Sequence, residues 1–189
     1  MSEQEIVTQL RQGDEAAFKQ LVSLFQQKVY NTALNFLQNQ QDAEDIAQEV
    51  FIQVYHSINQ FKENASLSTW LYRITISKCL DHVRNKKRKK RFAFISSLFS
   101  EKNSLLHDAP DFEHPGVQLD RKEDAATLFK LVNTLPESQK TAFLLNKIEA
   151  MSYGEIALIM KISESAVDSL LQRAKQNLRK KINENKNHS

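Results

Sequence analysis

Glycine, proline and cysteine are scarce in this chain of 189 residues, which holds three glycines, three prolines and one cysteine. So few turn-forming residues exclude a protein built from many hairpins, and abundant Leu, Ala, Gln, Lys and Glu favour helices. The lone Cys79 cannot form a disulfide within the chain. No apolar run reaches the length of a membrane span or a signal peptide. We therefore predict an all-α, cytoplasmic protein with no membrane insertion, long enough for one domain or two small ones.

The charged residues fall in blocks of alternating sign, which the net charge of +3 conceals. Residues 1–63 and 92–124 are net acidic, whereas residues 64–91 and 125–189 are net basic. A basic block attracts phosphate, and an acidic block repels it and must face solvent or a basic protein. The pattern predicts both nucleic-acid and protein partners.

Apolar residues recur at helical spacing through the first part of the chain. A first amphipathic helix should stop at Gly13, and Asp14 is placed to cap the second helix. Polar residues 39–41 should end that helix, and we expect Asp42 to cap the third. These helices belong to a first domain over residues 1–91.

A fourth helix is predicted to complete the first domain. It follows a loop near residues 59–67 and should run from Thr69 to about Arg91, with Ser66 or Ser68 as its cap. The densest positive charge of the chain therefore lies at the end of a helix.

The helical period is lost between about residues 92 and 117, where turn and breaker residues cluster. We interpret this segment as a flexible interdomain linker, although its apolar side chains predict that part of it packs against a partner or folds back on its own domain. Helical spacing resumes in a second small domain over residues 118–189. A helix over residues 119–135 and, after Pro136, a helix over residues 137–150 should open that domain.

Two helix-start signals lie one short helix apart in the second domain. Ser152 and Glu155 have the spacing of a capping box, so a short helix should begin near Tyr153. Ser163 is placed to cap a longer helix over about residues 164–181, which ends in basic residues. Short helix, tight turn and longer basic helix form the helix-turn-helix plan, whose second helix enters the major groove of DNA. Four residues should form the buried face of that helix: Val167, Leu171, Ala174 and Leu178.

Seven of the eight residues from Arg84 to Arg91 are cationic. A solvated helix end favoured by the macrodipole is the simpler explanation, but it does not require so many cations. Aromatic residues lie just upstream at Phe61, Trp70 and Tyr72, and unstacked bases bind aromatic faces beside basic grooves. The combination favours binding to unpaired nucleic acid, with core packing as the open alternative for Trp70.

Acidic residues crowd the predicted start of the third helix, at Asp42, Glu44, Asp45 and Glu49. Interaction with the helix N-terminus accounts for part of this cluster. A metal site would need several oxygens converging on one point, and neither a loop signature nor a histidine supports one. A contact surface for a basic protein is the sharper interpretation. Since no phosphate loop, nucleophile motif or histidine ligand spacing is present, we predict no enzymatic activity, no metal and no cofactor.

Several separate motifs occur in a fixed order along the chain. DAEDIAQEVF stands at residues 42–51 and WLYRI at residues 70–74, with Asp81 and Arg84 before the basic run. Leu135-Pro136 and then SYGEIA, from Ser152, follow in the second domain. Over nearly its whole length, the chain resembles the extracytoplasmic-function sigma factors of bacterial RNA polymerase.

The resemblance implies a transcription initiation subunit of two domains, with no enzymatic activity of its own. The first domain would bind the coiled coil of the β′ clamp of core RNA polymerase, and would recognise and melt the minus-ten promoter element. The second would read the minus-thirty-five element and contact the β flap. The linker would thread towards the active-site cleft. Promoter DNA and an anti-sigma factor are the further partners that the resemblance implies.

The resemblance also assigns residues to three sites. Those for core polymerase are Asp42, Glu44, Asp45, Gln48 and Glu49. Those for the minus-ten element are Phe61, Trp70, Tyr72, Arg73, Ser77, Lys78, Arg84, Lys87 and Arg88, with Phe61 and the loop beside it as candidates for capturing a flipped base. Those for the minus-thirty-five element are Ser163, Ser165, Asp168, Ser169, Gln172, Arg173 and Lys175.

Two departures from the family pattern affect these assignments. Ser77 stands where asparagine is usual, and Asp168 and Leu170 stand where lysine and arginine are common. We therefore predict weak intrinsic binding to the minus-thirty-five element and a promoter preference particular to this chain. Two other functions stay open: an autonomous helix-turn-helix regulator whose first domain dimerises or senses a ligand, and an RNA-associated protein that uses the basic run.

Overall fold

The computed structural model describes residues 2–98 and 127–186, and every element in those two stretches is a helix. The chain divides into two compact units, Met1–Asp111 and Phe112–Ser189. The prediction of an all-α protein with two small helical domains is confirmed. None of the helices in the described stretches combines the length and the apolar character that crossing a bilayer requires.

The first unit builds its helices from local capping signals. Ser2 and Glu5 form a capping box at the first helix. Gly13 adopts a left-handed φ of 79° after that helix, and Asp14 accepts a hydrogen bond from Ala17 N at 2.9 Å. The predicted stop and the predicted cap are therefore confirmed. The helices are α1 (Glu3–Arg11), α2 (Glu15–Leu37), α3 (Gln40–Ser57), a short 3-10 helix (Ile58–Gln60) and α4 (Leu67–Leu98).

The core of the first unit lies where α2, α3 and α4 pack on one another, and α1 packs on α2. Its fully buried side chains recur at helical spacing, as an apolar face requires. Burying one large apolar side chain stabilises the fold by about 1.5–3 kcal/mol, so this core decides which helix faces stay in solvent. The most buried members include Leu21, Val50, Val54, Leu71 and Cys79.

The third helix begins earlier than predicted, and Asp42 does not cap it. Asn39 is the cap, because its side-chain oxygen accepts a hydrogen bond from Asp42 N at 2.8 Å. Asn39 and Asp42 can both cap a helix, and they lie within one turn of each other. Asn39 directly follows Gln38, which ends α2 with a left-handed φ of 54°, so Asn39 is the first residue able to start the new helix. Asp42 consequently lies in the first turn of α3.

The fourth helix is longer than predicted at both ends. Ser66 is its cap, with a hydrogen bond from Thr69 N to Ser66 Oγ of 3.1 Å, and the helix starts at Leu67. It continues to Leu98 because residues 92–98 contain neither glycine nor proline to stop it. The end predicted near Arg91 is therefore wrong. The first seven residues of the predicted linker are helical, and its remaining residues lie outside the described stretches.

The second unit holds the predicted helix-turn-helix. All four residues expected on the buried face of its second helix are buried. The helix predicted over residues 119–135 is described only from residue 127, and that predicted to end at Ala150 stops at Lys147. The helices are α5 (residues 127–133), α6 (Glu137–Lys147), α7 (Tyr153–Met160) and α8 (Glu164–Lys186).

The turn between α7 and α8 is built from caps at both of its ends. The predicted capping box at α7 is confirmed: Glu155 N donates to Ser152 Oγ at 3.3 Å, and Ser152 N donates to Glu155 Oε2 at 2.8 Å. Lys161 ends α7 with a left-handed φ of 57°. Ser163 Oγ then accepts a hydrogen bond from Ala166 N at 3.2 Å, as predicted for the cap of α8.

The capping box should give the second unit a pH-dependent stability. The hydrogen bonds from Ser152 lower the pKa of Glu155 below its ordinary value, about 4.3. A carboxyl whose pKa is lowered by folding stabilises the fold above its ordinary pKa, and this contribution is lost as the pH falls through the lowered pKa. We expect Glu155→Gln to unfold at a lower temperature than the parent at pH 7, with a difference that narrows towards pH 3, in circular-dichroism melts.

Ser152→Ala provides the matched variant because it removes the other half of the capping box. It should cost about 1 kcal/mol at pH 7, and part of that cost should persist at pH 3 because the hydrogen bond from Glu155 N to Ser152 Oγ does not depend on the charge of Glu155. A difference between Glu155→Gln and the parent that stays constant over this pH range would contradict the assignment to the Glu155 charge.

Candidate nucleic-acid and protein interfaces

The first half of α3 exposes a row of acidic and polar side chains along one face. The opposite face of the helix is fixed in the core by Ala43, Ile46 and Val50, so the charges must point into solvent. Three carboxylates on one exposed surface repel DNA and attract a basic protein. We call this surface the acidic ridge, and its members are Glu44, Asp45, Gln48 and Glu49.

Asp42 differs from the acidic ridge because it is directed towards α4. Its side chain is only 22% exposed, and its Oδ2 lies 3.3 Å from Lys86 Nζ and 3.3 Å from His82 Nε2. Asp42 is therefore engaged within the chain. In the part of the chain that the structure describes, no three His, Cys, Asp or Glu residues are grouped as metal ligands.

An open groove of about 380 Å³ runs beside the acidic ridge, between α2 and α3. Val22, Tyr30 and Phe51 contribute its apolar lining, and Glu44 and Gln48 of the acidic ridge also line it. An apolar groove bordered by charged side chains has the composition of a protein interface, with an apolar centre and a polar rim. Sequence reasoning identified the acidic ridge but missed this groove, because its lining comes from two helices.

The segment of residues 61–66, which we call the α3–α4 loop, carries the aromatic residue predicted to capture a base. Phe61 is only 6% exposed, and its ring centroid lies 5.1 Å from that of Trp70. Its ring is buried and packs against Trp70 beneath the loop. The exposed side chains of the loop include Lys62 and Asn64, which sequence reasoning did not single out.

The face of α4 that carries the other residues assigned to the minus-ten element is only partly open. Lys78 Nζ lies 3.0 Å from Glu49 Oε2, and Arg84 Nη1 lies 3.6 Å from Asp81 Oδ1. Trp70, Tyr72 and Arg73 are half-buried. The exposed members, which we call the basic face, are Ser77, Arg84, Lys87 and Arg88.

Ion pairs connect α3 and α4, the two helices that carry the candidate surfaces of the first unit. Glu49 of the acidic ridge pairs with Lys78, and Asp42 pairs with Lys86 at 3.3 Å. The paired residues are 29 and 44 positions apart in the sequence, so no local pattern could reveal them. The opposite charges of α3 and α4 thus partly neutralise each other where the helices pack.

The helix-turn-helix exposes a polar face on α8. Asp168 Oδ2 accepts a hydrogen bond from Gln172 Nε2 at 2.8 Å. The Asp168 carboxylate is therefore directed along the surface of α8 towards Gln172. Leu171 is buried and Leu170 is half-buried, so Leu171 takes the greater part in the core. The residues assigned to the minus-thirty-five element that are exposed are Ser163, Ser165, Ser169, Gln172, Arg173 and Lys175, whereas Asp168 is half-buried.

Comparisons with known proteins agree with the two-unit organisation. Residues 21–89 match the model of sigma-70 region 2, and residues 126–178 match that of sigma-70 region 4. The chain has the fold of the sigma factor RpoE of Bartonella quintana, solved in complex with the anti-sigma factor NepR, with a TM-score of 0.64 and 21% identity over 86% of this chain and 94% of that one.

Curated relatives cover almost the full length of the chain. The RNA polymerase sigma-H factor of Pseudomonas aeruginosa is 31% identical over 95% of this chain and 93% of its own length. The ECF RNA polymerase sigma factor SigW of Bacillus subtilis is 31% identical over 93% of this chain and 94% of its own. With the acidic ridge and the basic face in the unit that matches region 2, and the helix-turn-helix in the unit that matches region 4, the chain belongs to the extracytoplasmic-function sigma factors of RNA polymerase.

Proposed function

We propose that this sigma factor divides its work among three surfaces. As a sigma factor, the chain binds core RNA polymerase and directs promoter-specific initiation of transcription. The proposal assigns polymerase binding to the acidic ridge and its groove, minus-ten recognition to the α3–α4 loop with the basic face, and minus-thirty-five recognition to α8. The observation that carries it is the exposed acidic ridge beside an apolar groove, on a helix whose opposite face is buried in the core.

The acidic ridge with its groove is suited to a helical partner of basic character. Coulomb attraction to the acidic ridge would orient the partner, and the apolar lining of the groove would supply most of the binding energy. The coiled coil of the β′ clamp is the partner that we assign to this surface. Gln48 adds a neutral hydrogen-bonding group between the carboxylates.

The basic face and the α3–α4 loop are suited to a partly melted promoter. Lys87 and Arg88 are exposed cations and would contact phosphates without regard to sequence. Flipping a base out of the stack costs a few kcal/mol, which pocket contacts must offset. Since Phe61 is covered, we assign the contacts with the flipped base to Lys62 and Asn64, with Phe61 and Trp70 as the support beneath them.

The second unit is suited to duplex DNA. Arg173 is exposed on α8 and can reach a base edge, while Lys175 adds a contact to phosphate. Asp168 offers a carboxylate where a cation would be more favourable, so binding to the minus-thirty-five element should be weak without polymerase. Leu158 is 54% exposed on α7, and we assign to it an apolar contact with the β flap.

Control by an anti-sigma protein completes the proposal. The fold of this chain is shared with a sigma factor that was solved with its anti-sigma factor bound. A protein that covers the acidic ridge or the basic face would block access to polymerase or to DNA. We propose that such a protein holds this chain inactive in the cytoplasm until a signal releases it.

Reversing one charge of the acidic ridge tests the assignment of polymerase binding. We expect Asp45→Arg to weaken binding to bacterial core RNA polymerase by about a hundredfold or more, since like charges facing each other across an interface cost several kcal/mol. Fluorescence anisotropy of the labelled chain, titrated with core enzyme, measures this. Glu15→Arg is the matched control, because it reverses another exposed acid near a helix start and should bind core like the parent.

Equal binding of core polymerase by Asp45→Arg and by the parent would contradict the assignment of the acidic ridge. Loss of core binding by Glu15→Arg as well would show that total charge, rather than the acidic ridge, governs association.

Removing one cation from α8 tests the recognition of the minus-thirty-five element. We expect Arg173→Ala in the holoenzyme to lose about 1–3 kcal/mol of discrimination at one base pair of that element. Arg179→Ala removes the same charge from an exposed site six residues further along α8 and should weaken all sequences alike. The measurement is competition binding with every single-base variant of the element, and an unchanged base preference in Arg173→Ala would contradict the role of Arg173.

A further inference from the structure

The α3–α4 loop is fastened to α1, a helix that carries none of the residues assigned to polymerase or DNA. Arg11 Nη2 donates a hydrogen bond to Phe61 O at 2.6 Å. Its Nη1 lies 2.8 Å from Glu63 Oε1 in an ion pair. The planar guanidinium thus holds the backbone of one loop residue and the side chain of another, which a single-point cation such as lysine would not do equally well.

The far end of the α3–α4 loop is fastened to the same helix. The carboxylate of Glu3 accepts the backbone N–H of Leu67, the first residue of α4. That amide is one of the four at a helix start that have no partner within the helix. Ser66 Oγ accepts a hydrogen bond from another of these four amides, that of Thr69. Both ends of the α3–α4 loop are therefore joined to α1 by charged side chains.

The α1 helix is a firm base for these contacts. Its apolar face is buried, with Ile6, Val7 and Leu10 at most 5% exposed, and its start is closed by a capping box. Glu3 and Arg11 lie two turns apart on the side of α1 where Val7 and Phe61 line a common groove. The distance between the two fastening points is thus set by a rigid helix.

The conformation of the α3–α4 loop needs such support. Glu63 has a φ of 56°, in the left-handed region that side chains with a Cβ atom disfavour. Glu63 is also the residue whose carboxylate pairs with Arg11. The ion pair therefore restrains Glu63, the loop residue with the unfavourable backbone conformation. Glu63 lies between the exposed residues Lys62 and Asn64.

We propose that Glu3 and Arg11 are positioning residues for recognition of the minus-ten element: they fix the α3–α4 loop so that Lys62 and Asn64 meet an unpaired base in a prepared geometry. This rests on the proposed function, in which that loop contacts the flipped base. A loop ordered before binding loses less conformational entropy when it captures the base, and it discriminates better between bases because it cannot adapt to the wrong one. Neither Glu3 nor Arg11 needs to touch DNA.

Base discrimination by the complete holoenzyme tests this proposal. The template is a promoter selected from random sequence by the parent holoenzyme, together with its single-base variants across the minus-ten element. The ratio of transcription from the selected promoter to that from each variant is the discrimination. We expect Arg11→Ala to lower this ratio about tenfold at one position, as the loss of hydrogen bonds from a charged group suggests. Lys19→Ala, which removes an exposed cation from α2, should leave it unchanged.

A conservative pair separates positioning from folding. Glu3→Gln keeps an oxygen that can accept the Leu67 amide and should retain most of the discrimination, whereas Glu3→Ala should lose it. Core polymerase binding should be equal in both. A helix that only stabilised the unit would lower transcription from all templates alike and leave the ratio unchanged, which would overturn the proposal. If Arg11→Ala does not fold, the comparison of Glu3→Gln with Glu3→Ala still tests the proposal.

Variants of the α3–α4 loop distinguish failure of this inference from failure of the proposed function. If Asn64→Ala or Lys62→Ala lowers the discrimination and the Arg11 and Glu3 variants do not, the loop contacts the base but α1 does not position it. If none of these variants changes the ratio, the assignment of base recognition to the loop fails, and the role of α1 fails with it.

Discussion

The packing of α3 between α2 and α4 is the constraint on which the rest of the first unit depends. Val50 and Val54 are completely buried there, and this fixes the rotation of α3 about its own axis. Because the apolar face is fixed, the acidic ridge must face solvent and Asp42 must face α4. The ion pairs that cross to α4 are partly exposed, and such pairs contribute about 0–1 kcal/mol each, so they follow the packing and do not determine it.

One consequence is that surfaces of opposite charge lie side by side in a small unit. The acidic ridge suits a basic protein, and the basic face suits a phosphate backbone, with Glu49 and Lys78 paired between them. In the proposed assignment, a polymerase subunit and a DNA strand would therefore bind neighbouring faces of the same helix pair. In the second unit, local signals are enough to build the helix-turn-helix: the capping box of α7, the Ser163 cap of α8 and the apolar face of α8.

Much of this could be predicted from the sequence, because caps and apolar spacing are local. The capping box at Ser152, the cap at Ser163 and the stop at Gly13 are confirmed by the structure. The predicted cap at Asp42 failed because two capping residues compete within one turn. The burial of Phe61, and its contact with Arg11 across 50 positions of sequence, depend on tertiary packing that no local pattern encodes. The family was indicated by the order of the motifs along the chain, and that order does not depend on which residue caps α3 or on whether Phe61 is buried.

The most direct measurement of the central claim is to combine the purified chain with bacterial core RNA polymerase on a library of genomic DNA and map the transcript starts. The account predicts that the chain co-elutes with core enzyme and that starts appear only when both are present. Those starts should share two upstream elements at a fixed spacing. A chain that binds DNA but not core polymerase, and adds no starts, would contradict the account and indicate an autonomous DNA-binding regulator.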